Sequence, residues 1–232
     1  MLTGEGLSET GVTLREKWRR GYTKLAKLIA GYLHGRVLEA GAGRGQLTRA
    51  LLRYHSNLLA LDASPGELLK LRKSCRAQAL AGAFEALPFA SASFDCVVSN
   101  FTAGWLDEER MLKALREFRR VLVRGGRAVI SDFYSEARNE AERLVLLQGL
   151  PENNLSPSAR WWHPEEIAAL AAEAGFEEEG LDFHDWRTSF TEEEAVLQLR
   201  RWNAKPEFIE RVRGPLSRHG MALPRSFVLV LR

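Results

Sequence analysis

Little in this sequence is available for covalent or metal-held stabilisation. Cysteine occurs only at Cys75 and Cys96, in an expected helix and an expected strand, and with no zinc-ligand spacing around either. A disulfide framework and a metal centre are therefore not expected, and buried free thiols in a reducing cytoplasm are. No apolar run approaches the ~20 residues that cross a bilayer, and Met1 to Val12 lacks the basic-then-apolar order of a secretion signal. Large excess charge is missing too: 33 Lys and Arg face 30 Asp and Glu, a net charge of +3. A nucleic-acid coat is thus not indicated, while an acidic partner is allowed. Internal repeats and low-complexity tracts are absent. What is present is 232 residues with 45% hydrophobic content, enough to bury the core of a single α/β domain.

The chain is organised around Val37-Leu38-Glu39-Ala40-Gly41-Ala42-Gly43-Arg44-Gly45. An apolar run ending in an acid, then alternate glycines, then Gln46-Leu47-Thr48-Arg49-Ala50-Leu51-Leu52 reads as strand, tight turn and helix. Glycine permits positive φ and lets a ligand approach the backbone, and unpaired N–H groups opening the helix attract an anion. A second apolar strand runs from Asn57 to Asp62, and Asp62 lies 21 residues after Gly41. That spacing suits an acid that accepts hydrogen bonds from ribose hydroxyls. A dinucleotide fingerprint would be spaced G-x-G-x-x-G, whereas these glycines are spaced G-x-G-x-G, which weakens a pyrophosphate reading.

At these residues the sequence resembles the class I S-adenosylmethionine (SAM)-dependent methyltransferases, and in particular their small-molecule group. The first motif of that family looks like V-L-E/D-x-G-x-G-x-G, and its second strand ends in the ribose-binding acid. Glu85 to Ser99 is similar to the family stretch A-E-x-L-P-F-x-x-x-S-F-D-x-V-x, and Arg120 to Ile130 is similar to R-V-L-x-x-G-G-x-x-x-I. The resemblance implies a Rossmann-like, seven-stranded, mostly parallel sheet with an antiparallel last strand and helices on both faces. A helical N-terminal lid and helical insertions complete it, with a tail and lid over 1–33, a SAM-binding half over 34–135 and a substrate half over 136–232.

The resemblance also implies SAM as cofactor, with contacts at Glu39, Gly41, Ala42, Gly43, Gly45, Asp62, Ala63, Phe84, Glu85 and Asn100. Glu39 would sit near the ammonium of the methionine moiety or act only as a charge partner for the helix N-terminus. One departure stands out. Where the family usually carries an aspartate for the adenine amino group, this chain has Ala83, followed by Phe84. The Phe84 backbone could read the adenine edge and its ring wall off the base, or the ring could pack in the core.

Helical spacing of Leu14, Trp18, Tyr22, Leu25, Ile29 and Tyr32 predicts a helix from Thr13 with a basic opposite face. It either packs on the sheet domain or closes over the cofactor, with Trp18 or Tyr22 as an aromatic wall. Residues 1–12 are expected to fray or to order only on binding. Further expected elements are a helix from Gly45 to about His55, a helix opened by Ser64-Pro65-Gly66-Glu67 and running to about Gln78, and a weak strand over Ala79 to Phe84. A strand ending at Ser99-Asn100-Phe101, a helix from about Asp107 to Leu122 and a strand from Ala128 to Asp132 come next. Then follow a helical stretch over 136–149, a loop from Pro151 to Arg160, a helix starting near Trp161-Trp162-His163-Pro164, and a strand from Glu177 to Trp186. A basic helical insertion over Thr191 to His219 and a buried strand over Arg225 to Arg232 close the chain.

A sulfonium-borne methyl is already activated, so alignment with the acceptor is the main requirement and no fixed catalytic triad is expected. The candidates for acid–base or positioning roles are His163, Tyr134 and Asn100. Trp161 and Trp162 either cap the core or line a cleft. The leading expectation is methyl transfer to an O, N or C atom of a small molecule. Transfer to an acyl carrier protein-bound acid or to RNA on a basic surface, and non-catalytic SAM binding, are the alternatives. Neither a membrane nor a metal partner is expected.

Overall fold

A computed structural model describes residues 13–155 and 160–232. The expectation for residues 1–12 lies outside them. The elements in order are α1 Leu14–Ala30, β1 Val37–Ala40, α2 Gln46–Leu51, β2 Leu58–Asp62, α3 Pro65–Ser74, β3 Gln78–Ala81, β4 Phe94–Asn100, α4 Glu108–Val121 and β5 Leu122–Phe133. They continue with α5 Glu140–Gln148, α6 Pro164–Glu173, β6 Glu178–His184, β7 Ser189–Phe190, α7 Glu192–Arg201, α8 Pro206–His219, β8 Met221–Ala222 and β9 Ser226–Leu231.

Seven strands form one sheet in the order β3-β2-β1-β4-β5-β9-β6. Pairing is parallel from β3 through β5, and β9 runs antiparallel to both neighbours. The chain reverses its direction of travel across the sheet between β1 and β4, so the crevice beyond their carboxyl ends is where such sheets collect ligands. Successive strand residues point to opposite faces. Val37, Val98 and Val129 therefore pack under α1, α2, α5, α7 and α8, while Leu38, Ala40, Val97 and Ile130 pack under α4 and α6. By the same alternation Glu39 and Asn100 belong to the face that carries α1 and α2.

Local chemistry explains the element ends. Thr13, Ser64, Asp107, Asn139 and Thr191 each accept the N–H three residues on and cap a helix start. α2 stops at Leu51 rather than near His55, and α3 at Ser74 rather than Gln78, where the extended backbone of Cys75 breaks the helix. β3 ends at Ala81, so Phe84 lies in a turn and not in the strand. β5 is longer than expected because Leu122 to Arg127 extends it, with an irregular register opposite Phe94 and Cys96. The basic insertion is two helices, separated where Pro206 starts a new one. β7 pairs with β8 at the base of that helix pair. Cys96 is buried, whereas Cys75 is only half-buried.

Candidate active site

The turn after β1 is held from below by β2. Gly41 and Ala42 both donate to the Leu61 carbonyl, at 2.8 and 2.9 Å, and Gly45 donates to the Ala42 carbonyl at 2.9 Å. The Gly43 N–H donates to the Asp62 carboxylate at 2.7 Å, and the Ser64 N–H reaches the other Asp62 oxygen at 2.8 Å. The amides of Gly41, Ala42, Gly43 and Gly45 are thus spent within the protein, ahead of the helix that opens at Gln46. Asp62 sits against the glycines with one lone pair of each oxygen still unused.

Glycine is required here by geometry. Gly41, Gly43 and Gly45 have φ of +81°, +52° and +81°. A Cβ on Gly41 would lie 2.1 Å from the Thr102 methyl and 3.3 Å from the Phe84 ring edge, so these side chains press on the turn. A Cβ on Gly43 would meet no atom within 4 Å. That side of the turn is open.

Next to the turn, Glu39 is 2% exposed, and one of its carboxylate oxygens has no hydrogen-bond partner. Burial pushes its pKa up to about 8, opposed by groups of Thr48 and reinforced by the Asp62 charge. The Asn100 side-chain oxygen is likewise buried without a partner. Such orphaned buried atoms are uncommon and costly, which makes two around one turn informative.

A cavity of about 1380 Å³ opens along this edge. Its walls include Trp18 and Tyr22 from α1, Phe101 and Phe133 from the strand ends, Trp161, and Trp202 beyond α7. Trp18 contacts Tyr22, Trp186 and Trp202, with ring centroids 5.4 to 6.1 Å apart. Trp186, not singled out from sequence, is the hub that also touches Tyr22, Phe101 and Phe133. α1 is fastened across the cavity to α7: Lys17 pairs with Glu194 at 2.7 Å, and the Trp18 indole N–H donates to Gln198 at 3.3 Å. Burial raises the Tyr22 pKa, and the charges of Glu39 and Asp132 raise it further.

Asp132, at the end of β5, lines the cavity and is 6% exposed. Its carboxylate accepts from the Phe133 N–H at 2.8 Å and the Gly104 N–H at 3.2 Å, and among the described residues no cation pairs with it. Burial carries its pKa up to about 6 despite these bonds. The sequence reading did not place it among the candidates; its position at the end of a central strand was the available signal.

The other sequence candidates separate. Ala42 is buried and Ala63 is exposed beside Asp62. Glu85 is engaged by Arg110 at 2.7 Å. Tyr134 packs against Phe183 and His163, and His163 faces Ser135 at 3.0 Å, outside the cavity lining. The tryptophan pair splits: Trp161 lines the cavity, while Trp162 is buried in the core and donates to the Ala103 carbonyl at 3.0 Å.

Strand order, the switch point between β1 and β4, and a glycine turn carrying the Asp62 carboxylate define a Rossmann-like class with its ligand edge at this crevice. Comparison with known proteins narrows that class. A methyltransferase-domain family matches residues 38–130. The demethylmenaquinone methyltransferase of Tropheryma whipplei is 30% identical over 178 residues, covering 69% of this chain and 72% of that protein. The malonyl-[acyl-carrier protein] O-methyltransferase of Halorhodospira halophila is 28% identical over 194 residues, covering 81% of this chain and 64% of its own length. The chain thus spans less than two thirds of that relative. Among solved structures, a methyltransferase-like protein from Bacillus halodurans superposes with a TM-score of 0.68 at 20% identity, covering 90% of this chain and 97% of that one. This last likeness concerns the fold. The chain belongs to the class I SAM-dependent methyltransferases.

The residues present fit that cofactor. Orphaned Glu39 and Asn100 oxygens match a ligand with an ammonium group, and the open side of Gly43 leaves room for it against the backbone. Two unused lone pairs on Asp62 match a pair of ribose hydroxyls. Among the described residues there is no group of three or more His, Cys, Asp or Glu side chains that could hold a metal ion. No described helix is long and apolar enough to cross a membrane.

Proposed function

We propose that this protein methylates a small molecule whose acceptor atom is a weakly acidic hydroxyl or carbon acid, within the cytoplasm. The observation that carries the reading is the aromatic-walled cavity lined by the buried Asp132 and by Arg44 and Gln46 at the glycine turn. When bound, SAM supplies a methyl group on a sulfonium, a donor that needs no further activation. Glu39 and Asn100 would hold its amino-acid end, Asp62 its ribose, and Phe84 would border the base. Tyr22, Phe101 and Trp161 exclude water from the reacting end of the acceptor. Asp132 takes the acceptor proton; with a pKa of about 6 it is ionised at neutral pH yet still basic enough for that task.

Transfer to an acid carried on an acyl carrier protein is the second reading, favoured by likeness to the malonyl-[acyl-carrier protein] relative. Incubation with methyl-labelled SAM and fractionated cell extract separates the two. Label in the metabolite fraction supports the first. Label confined to protein or RNA overturns it.

A further inference from the structure

Charge around the cavity is sorted by burial. The one carboxylate in its lining, Asp132, is buried, as is Glu39 on strand β1. The cations that line it, seven arginines and one lysine against that single lining carboxylate, are exposed apart from the half-buried Arg160 and so form its solvent-facing mouth, although the whole chain carries nearly balanced charge, 33 basic against 30 acidic residues. Four of these cations come from three separate elements. Arg15 lies on α1, Arg49 and Arg53 on and just after α2, and Arg201 at the end of α7. All four are exposed, and among the described residues none has a carboxylate within ion-pair distance; the Arg49 guanidinium reaches only the Arg44 carbonyl at 3.5 Å. Other arginines of the mouth are neutralised locally, Arg19 by Glu16 and Arg44 by Glu67.

The donor carries a single carboxylate, which one guanidinium satisfies, so four exposed arginines from three elements exceed its need. An anionic group gains from such a mouth, because guanidinium groups bind carboxylate and phosphate in a planar, two-pronged manner. Convergence of three elements on one opening also exceeds what helix C-terminal charge pairing requires, since that would account only for Arg49 and Arg201 on their own helices. The aromatic walls between mouth and Asp132 fit a flat ring.

We infer that the acceptor is a planar, ring-bearing molecule with an anionic substituent, carboxylate or phosphate, which Arg15, Arg49, Arg53 and Arg201 hold at the mouth while its reacting atom lies at Asp132. This rests on the methyltransferase reading and specifies its acceptor.

The test is calorimetric binding of 6-hydroxy-2-naphthoate, its neutral methyl ester and 6-hydroxy-2-naphthyl phosphate to the protein saturated with S-adenosylhomocysteine, at low and high salt. An acid or phosphate that binds about tenfold tighter than the ester supports the inference, a difference of about 1.4 kcal/mol. The advantage should shrink at high salt and disappear in the Arg53→Gln/Arg201→Gln protein, whose fold is checked by thermal denaturation. Which anion wins identifies the substituent. Equal binding of acid, phosphate and ester overturns the inference, as does binding of none of them, including the case in which an acidic carrier protein binds instead. Failure of S-adenosylhomocysteine itself to bind is a different result and overturns the underlying methyltransferase reading.

Discussion

Replacing Asp62 separates its two duties. In the protein its carboxylate accepts the Gly43 and Ser64 N–H groups, and its remaining lone pairs are available to ribose. In Asp62→Ala the Ser64 amide, which is exposed, turns to water at little cost, while the Gly43 amide is partly buried and loses its acceptor. The stability cost should be about 1 kcal/mol, or roughly 2–4 °C in Tm for a chain of this size. Ligand affinity should fall further, because charge-assisted hydrogen bonds to two hydroxyls disappear: about 1 to 3 kcal/mol, a loss of roughly 5- to 150-fold. Asp62→Asn is the sharper probe. Its amide oxygen can serve one backbone N–H, but its NH2 then faces the other, donor against donor. It should bind no better than the alanine variant. Calorimetry with S-adenosylhomocysteine, which cannot react, measures the affinity while thermal denaturation confirms folding. A folded Asp62→Ala protein with affinity within about twofold of wild type would refute the role assigned to this carboxylate.

Other expectations follow from the same site. The Glu39 pKa is raised from 4.5 to about 8, so the folded state prefers the protonated carboxyl and the unliganded protein should lose stability as pH rises from about 4.5 through 8. An ammonium ligand restores the ionised form, so the Tm increase caused by SAM should grow from pH 6 to 8, and Glu39→Gln should abolish that trend. For Asp132, with a pKa of about 6, turnover should rise with pH through that value; Asp132→Asn should lower kcat by about 10²- to 10⁴-fold and remove the pH dependence. Gly41→Ala should unfold or strongly destabilise the turn, since its Cβ would meet Thr102 at 2.1 Å. Gly43→Ala meets open space and should cost only about 1–2 kcal/mol from its positive φ, yet weaken SAM binding; unchanged SAM affinity there would argue that the ligand lies elsewhere. Trp162→Ala should cost about 3–5 kcal/mol, measured by denaturant unfolding, because the ring is 2% exposed and its indole N–H is bonded.

The sheet was legible where residues carry their own geometry. Alternate glycines at 41, 43 and 45 announce a turn that only they can make, and Ser64-Pro65 announces a helix start. Strand and helix ends were less legible because hydrophobic runs do not mark where pairing stops. β3 therefore fell short of Phe84, and β5 began earlier than Ala128. The cavity was the least legible part. Trp161 and Trp162 are neighbours in sequence, but one borders the cavity and the other the core, a choice set by packing against Ala103 and Ile167. Asp132 looked like any acid at a strand end until burial and its unpaired state were known. His163 drew notice for its chemistry, yet its backbone N–H serves the Glu166 carboxylate at a helix start and its ring faces Ser135.

The fastening of α1 to α7 across the cavity rests on unequal contacts. The Lys17 and Glu194 side chains are 16% and 10% exposed, so parting them returns two charges to water, and their rehydration offsets most of the attraction given up. What holds the two helices together is then mainly the indole of Trp18 seated among its aromatic neighbours. The rest of α1 is anchored independently, with Leu25, Ala26 and Ile29 fully buried in the core. Trp18 thus joins α1 to the C-terminal end of α7, through the Trp202 ring and the Gln198 side chain together.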